Sequence, residues 1–278
     1  MFKTIPHEVW AFDLEWVPDV GSGRRAYRLG PDASDADVLR EMWRQAGADE
    51  QNPRPYLKTV LCRIVSIAAV VRRHPEHGPV SLTLHSLPLP GAEACPEADI
   101  ISRFMGALGK AKPQLVGFNS HSADLPILLQ RALANRLTLP DFCERPDKPW
   151  EGVDYFAKGY DHHVDLKEMF CGWGRATPSL HELATACRIP GKLDTSGRDV
   201  VDLWTEGDAR RIVQYNECDA LTTYLVWLRA ALLGGHVTVE EHDAEAVQLE
   251  TYLETRAADP THRHLREYLG EWRRLRAM

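Results

Sequence analysis

Glu8-Val-Trp-Ala-Phe-Asp-Leu-Glu-Trp16 alternates without a break. Side chains of an extended chain point to opposite faces with period two, so Trp10, Phe12, Leu14 and Trp16 share one face and Asp13 and Glu15 share the other. The pattern predicts an opening β-strand that turns its aromatic face to a core and carries two carboxylates opposite. At i, i+2 these lie about 7 Å apart along the backbone, close enough to grip one divalent ion between them. Alone, a D-x-E pair is an ordinary polar strand face.

Downstream, residues 18–58 form a long polar insert punctuated by Gly21-Ser22-Gly23 and Pro31, with one helix predicted near Asp35 to Ala46 on a Val38, Leu39, Met42, Trp43 stripe. Arg63 to Arg72 and Val80 to Leu87 read as strands, Pro96 to Leu108 as a helix, and Gln114 to Phe118 as a short strand. A helix follows from near Asp124, with Pro126 tolerated in its first turn. Pro140 to Tyr160 reads as a loop and His163 to Leu166 as a short strand. Ser179-Leu-His-Glu182 has the capping-box pattern and opens a helix to Cys187. A long helix runs from near Asp208 to Gly234-Gly235, and two more, Val239 to Arg256 and Thr261 to Arg276, follow it. Strands first, then alternating helices and strands, then helices, give an α/β chain with one mixed sheet.

Composition narrows the classes. The 278 residues are 44% hydrophobic and 26% charged, as expected of an ordinary globular chain, and we read them as one domain. Met1 to Trp16 meets an acid at Glu8 and has no uninterrupted apolar run. The longest apolar stretch, Ile64 to Val71, is too short to span a bilayer. No membrane role and a cytoplasmic location are expected. Six cysteines, none at C-x-x-C spacing, argue against a zinc ribbon, a redox pair or a disulfide framework, and free, mostly buried thiols are expected. A net charge of −7 counsels against broad coating of duplex nucleic acid. It leaves room for a small acidic site that meets phosphate through divalent ions.

Two further acidic positions stand out. In Val116-Gly-Phe-Asn-Ser-His-Ser-Ala-Asp124 a strand leads through Asn119 to an aspartate at the start of a helix, a place an N-cap could also explain. In Gln214-Tyr-Asn-Glu-Cys-Asp219 the Tyr215 hydroxyl and the Asp219 carboxylate lie four apart on one helix face and can converge on one point. Leu221, Leu225, Leu228 and Leu232 form an apolar stripe that anchors that helix. Four acids packed together would repel and raise one another's pKa unless cations neutralise them.

Taken in order, D-x-E on a first strand, an Asn-bearing strand end leading to Asp, and Y-x-x-x-D on a late helix resemble the motifs of the DEDD exonuclease superfamily, in its tyrosine branch. Gly117-Phe-Asn, Asp124-Leu-Pro-Ile127, His163-Val-Asp-Leu-Lys167 and Gly197-Arg-Asp-Val-Val-Asp-Leu-Trp204 look like the predicted 3′–5′ exonuclease family related to the proofreading domain of family-B DNA polymerases. The likeness covers roughly residues 8–233, leaving 234–278 as a helical extension. It implies a ribonuclease H-like mixed sheet flanked by helices. It also implies two divalent ions, Mg²⁺ or Mn²⁺, at a single-stranded 3′ end, DNA before RNA, with nucleoside 5′-monophosphates released. By resemblance Asp13 bridges both ions, Glu15 and Asp219 complete one, Asp124 holds the other, Tyr215 orients the attacking water, and Asn119 and Leu14 contact substrate. Ala123 departs from the aromatic residue usual before the second-motif aspartate, which bears on a packing or stacking contact. An exoribonuclease of RNase D type shares these motifs, and a nucleic-acid-binding module with a dead site is the alternative from another class. His121, His162, His163 and Asp165 read as packing or structural residues. The aromatics Trp150, Tyr155, Phe156 and Tyr160 could stack on bases or plug a loop, and the arginines of the last helix read as a solvated face.

Overall fold

A computed structural model describes residues 2–278 other than 77, 93–94, 149, 158–159, 172–176, 194–196 and 198. Five strands, β1 (Glu8–Pro18), β2 (Cys62–Arg73), β3 (Ser81–Leu87), β4 (Gln114–Gly117) and β5 (His163–Asp165), form one sheet in the order β3-β2-β1-β4-β5. β1 pairs antiparallel with β2 and parallel with β4, β2 pairs antiparallel with β3, and β4 pairs parallel with β5. The helices are α1 (Val20–Ala26), α2 (Asp35–Gln45), α3 (Glu97–Ala111), α4 (Asp124–Ala134), α5 (Pro140–Cys143), α6 (Leu166–Phe170), α7 (Leu180–Ala186), α8 (Val200–Thr205), α9 (Ala209–Leu233), α10 (Val239–Arg256) and α11 (His264–Arg276). This is the mixed, helix-flanked α/β sheet that the sequence implies. No helix among the described residues is long and apolar enough to cross a membrane.

β1 is the central strand, and both of its faces are covered. Trp10, Phe12 and Leu14 pack with Ile101, Phe104 and Leu128 of α3 and α4, as the aromatic alternation requires. The opposite face is not polar throughout: Val9 and Ala11 pack with Leu221, Tyr224 and Leu225 of α9, and only beyond them do Asp13 and Glu15 follow. The polar run therefore occupies the C-terminal half of the strand. There the register with β2 shifts between Glu15 and Trp16, an irregularity of the kind that re-aims side chains beside functional sites.

α9 carries more than an apolar stripe. Every residue from Tyr215 to Leu228 is buried, because the sheet covers one side of the helix while Leu249 and Leu253 of α10 and Leu265, Tyr268 and Trp272 of α11 cover the other. Two of its inward polar side chains bond to the sheet: Asn216 Nδ2 donates to Ser66 Oγ (3.0 Å) and Ser86 Oγ donates to Glu217 Oε1 (2.7 Å). His264 Nε2 meets the other Glu217 oxygen at 2.7 Å. Buried polar groups need such partners, so these bonds fix the rotation of α9 on the sheet and with it the aim of Tyr215 and Asp219.

The insert departs from the one-helix expectation. α1 forms across the glycines read as punctuation, with Asp19 accepting from the Gly21 N–H as N-cap. Gly23 is needed there, since a Cβ would stand 2.3 Å from the Met42 sulfur where α1 crosses α2. Other differences are local. The predicted loop from Pro140 holds α5, whose Phe142 is buried, and the last helix begins at His264 after a 3₁₀ turn over Pro260–His262. The strand expected to reach Phe118 ends at Gly117. The capping box at Ser179 and Glu182 forms as predicted. All six cysteines are free, but only Cys62, Cys171 and Cys218 are buried.

Candidate active site

Asp13 and Glu15 leave β1 on the face that α9 crosses, and Asp219 of α9 meets them: carboxylate oxygens of the three lie within 4.8 Å of one another. Tyr215, one turn before Asp219, turns its hydroxyl toward that carboxylate and holds its pKa down against the effect of burial. Its ring is held in an apolar cluster with Val17 of β1, Val200 and Leu203 of α8 and Ile212. The strand and helix spacings read from sequence thus deliver four side chains to one point at the C-terminal end of the central strand.

Asp124 arrives from the neighbouring parallel strand. β4 ends at Gly117, and the chain turns through Asn119, which adopts a left-handed conformation (φ 66°). Asp165 builds this turn: its carboxylate accepts from the backbone N–H groups of Asn119 and His121 (both 2.9 Å) and of Lys167 (2.9 Å). Asp124 then stands as the first residue of α4, buried, with the Leu14 backbone N–H among the groups that restrain its pKa. It is not the N-cap, which is Ala123 and makes no capping bond. Leu14 itself is a buried core side chain, and the Asn119 side-chain oxygen accepts from Lys167 Nζ (3.0 Å).

Burial and mutual repulsion dominate the electrostatics. Burial first, then Asp219, Asp124 and Glu15, hold Asp13 well above the usual carboxylate range, and Glu15 is raised by burial with Asp219 and Asp124. Burial pushes Asp124 up to about 7 and Asp219 up to about 6, the latter restrained by the Tyr215 hydroxyl. Burial and the adjacent carboxylates raise the Tyr215 phenol, so it stays a neutral donor. Clustered hard oxygen donors with uncompensated charge fit a divalent cation of the Mg²⁺ or Mn²⁺ type. His121, Asp165 and Glu168 also lie close together, but Asp165 is engaged by backbone N–H groups and His121 Nδ1 meets Glu168 at 2.8 Å, a set that holds the turn.

A family of predicted 3′-5′ exonucleases related to the exonuclease domain of PolB matches residues 54–272. The chain belongs to this family. Comparison with curated proteins finds no match. The part shared with this exonuclease family contains Asp124, Tyr215 and Asp219 and begins after β1, so Asp13 and Glu15 join the site on geometry.

One residue that sequence reading did not single out stands beside these acids. Lys192 lines a cleft with Tyr215, Asp219, Arg211 and His264, and it is the cation whose charge offsets Asp13, Glu15 and Asp219 together. Its backbone N–H donates to His181 Nδ1 (3.0 Å), and Gly191 before it lets the chain press onto that ring, since a Cβ would lie 2.2 Å away. Nothing in the local sequence marks a lone lysine after Pro190-Gly191. The remaining candidates fall to structural roles. His163 is buried against Ser120 (2.8 Å), His162 accepts from the Asp154 N–H (3.0 Å), and Tyr155 is buried with its hydroxyl on the Pro113 carbonyl (2.7 Å). Trp150 stands exposed. On α11, Arg273, Arg274 and Arg276 pair with Glu250, Glu254 and Glu271, which cancels most of the local positive charge.

Proposed function

We propose that this chain acts, as one domain, as a metal-dependent 3′→5′ exonuclease on single-stranded nucleic acid, releasing nucleoside 5′-monophosphates. The observation that carries this reading is the convergence of Asp13, Glu15 and Asp219 within 4.8 Å, capped by Tyr215, in a member of that exonuclease family. The family's relation to the PolB exonuclease domain favours DNA over RNA. Asp13, Glu15 and Asp219 would hold one divalent ion, and Asp124 with Asp13 a second. When bound, such ions offset phosphate charge and make water a nucleophile near neutral pH.

The protein's own residues do the rest. Tyr215, fixed by its apolar cluster, offers its hydroxyl beside Asp219 to orient the attacking water in line with the scissile bond. Lys192 faces the site from the cleft and draws in a phosphate that the carboxylates alone would repel. Asp165 and Lys167 hold the Asn119 turn, and so the start of α4 with Asp124.

The test is digestion of end-labelled DNA and RNA oligomers of matched sequence, with Mg²⁺ or Mn²⁺ and with EDTA. Shortening from the 3′ end, abolished by EDTA and in Asp13→Ala and Asp219→Asn proteins that still fold, is expected. Full activity in either variant, or shortening from the 5′ end, would overturn the proposal.

A further inference from the structure

The insert between β1 and β2 lies mostly ahead of residue 54, where the family match begins. Its last part, residues 51–57, lies against α8 and closes a groove of about 360 Å³. Trp16, Trp43 and Tyr56 line one wall, Val201 and Asp202 the other, and Arg54 spans the two. Arg54 sits over the Trp43 ring, 5.4 Å from its centroid, and pairs with Asp202. Tyr56 is 83% exposed, a large ring held at the groove's lip where burial does not account for it.

Both walls connect to the candidate site. Trp16 follows Glu15 in the chain, and Val200, next to Val201, packs against Tyr215 and Val17. Trp16 itself packs on the opposite face of β1 from Glu15, so on that wall the link runs through the strand. The groove's chemistry differs from that of the Lys192 cleft. Among the described residues its lining arginine, Arg54, is matched by Asp202, while its aromatic and proline edges suit a flat, uncharged ring. Stacking on exposed aromatic rings is how single strands are held without sequence preference.

We infer that this groove takes one unpaired nucleobase of the substrate strand, stacked on Tyr56 with Trp43 and Trp16 behind it, next to the phosphate held at the carboxylates. The inference rests on the exonuclease reading above and gives it a substrate form: a base still paired in a duplex cannot enter without first being unpaired. The insert is then a specificity element, added beside a site it does not build.

Tyr56→Ala tests this with little risk to the fold, since the ring is exposed. Its KM for single-stranded oligomers should rise about 5- to 100-fold with kcat little changed, and Tyr56→Trp should restore it. An abasic residue moved stepwise from the 3′ end should weaken wild-type binding, measured by fluorescence anisotropy in EDTA, at one position. At that position Tyr56→Ala should lose nothing further. Unchanged KM and binding in Tyr56→Ala, or abasic and Tyr56→Ala losses that simply add, would overturn the groove assignment. So would a change in solution molar mass without a change in KM, which would make the face a self-association surface. A wild-type protein that binds oligomers yet hydrolyses none under any metal would instead overturn the exonuclease reading.

Discussion

Arg72 of β2 and Glu245 of α10 meet in a two-pronged contact, Nε to Oε1 at 2.7 Å and Nη2 to Oε2 at 3.0 Å, with side chains only 2% and 4% exposed. Tyr224 of α9 donates to the same Glu245 oxygen, and the Trp227 ring lies under the guanidinium. The sheet, α9 and α10 are thus tied at one buried charge pair.

Removing one partner of such a pair strands the other charge in the core. Glu245→Ala or Arg72→Ala should cost about 3–5 kcal/mol, read from denaturant unfolding. A double replacement by Arg72→Met and Glu245→Leu should recover much of that loss. Single variants as stable as wild type would show that the pair is incidental.

The raised carboxylates set a pH signature. Asp124 moves from an ordinary 3.8 to about 7 and Asp219 to about 6, so the folded protein binds protons that the unfolded chain has released. Their stabilising contribution is complete below about pH 3.8 and is lost as pH rises through 6 and 7. Metal-free protein should therefore lose melting temperature between pH 5 and 8 from these groups. Asp219→Asn should flatten that slope. Divalent ions, which need the deprotonated acids, should raise the melting temperature far more at pH 8 than at pH 5. Equal stabilisation at both pH values would count against the acids as ligands.

Tyr215→Phe keeps the ring in its apolar cluster and removes only the hydroxyl. If that hydroxyl orients the water, kcat should fall about 10²- to 10⁴-fold with KM and metal affinity nearly unchanged. Because the hydroxyl also restrains Asp219, its loss should move the acid limb of the pH–activity profile upward. A shifted limb with an intact plateau would leave Tyr215 only the second task.

Lys192→Met should lower kcat/KM by about tenfold or more and reduce the salt dependence of substrate binding by about one phosphate contact. Lys192→Arg should recover part of both. Metal binding without nucleic acid should hold or tighten, since a charge competing for the acids is gone. Unaltered kinetics and salt slope would remove Lys192 from the site.

What the sequence conveys is what is periodic or locally capped. The alternation of β1, the capping box at Ser179 and the Gly234-Gly235 stop are local, and each appears where expected. The grouping of Asp13, Glu15, Asp219 and Tyr215 follows from two spacings and a recognisable order. Contacts made in three dimensions stayed hidden. Gly23 reads as a breaker until Met42 is seen against it, and Lys192 reads as any surface lysine until α7 and α9 bracket it. Nothing in the local sequence marks Asn216 and Glu217 as core residues, yet they are buried and bonded to the sheet and to His264.

The covering of α9 by α10 and α11 bears on the order in which the protein matures during synthesis. A nascent chain released only as far as Leu233 carries all five acid and tyrosine residues. It would nonetheless expose the outer side of the helix that holds two of them, and would lack Glu245 for Arg72 and His264 for Glu217. Such an intermediate leaves buried apolar surface and paired charges uncovered. The candidate site residues would therefore reach their final places late on the ribosome, when α10 and α11 emerge and lock α9 against the sheet.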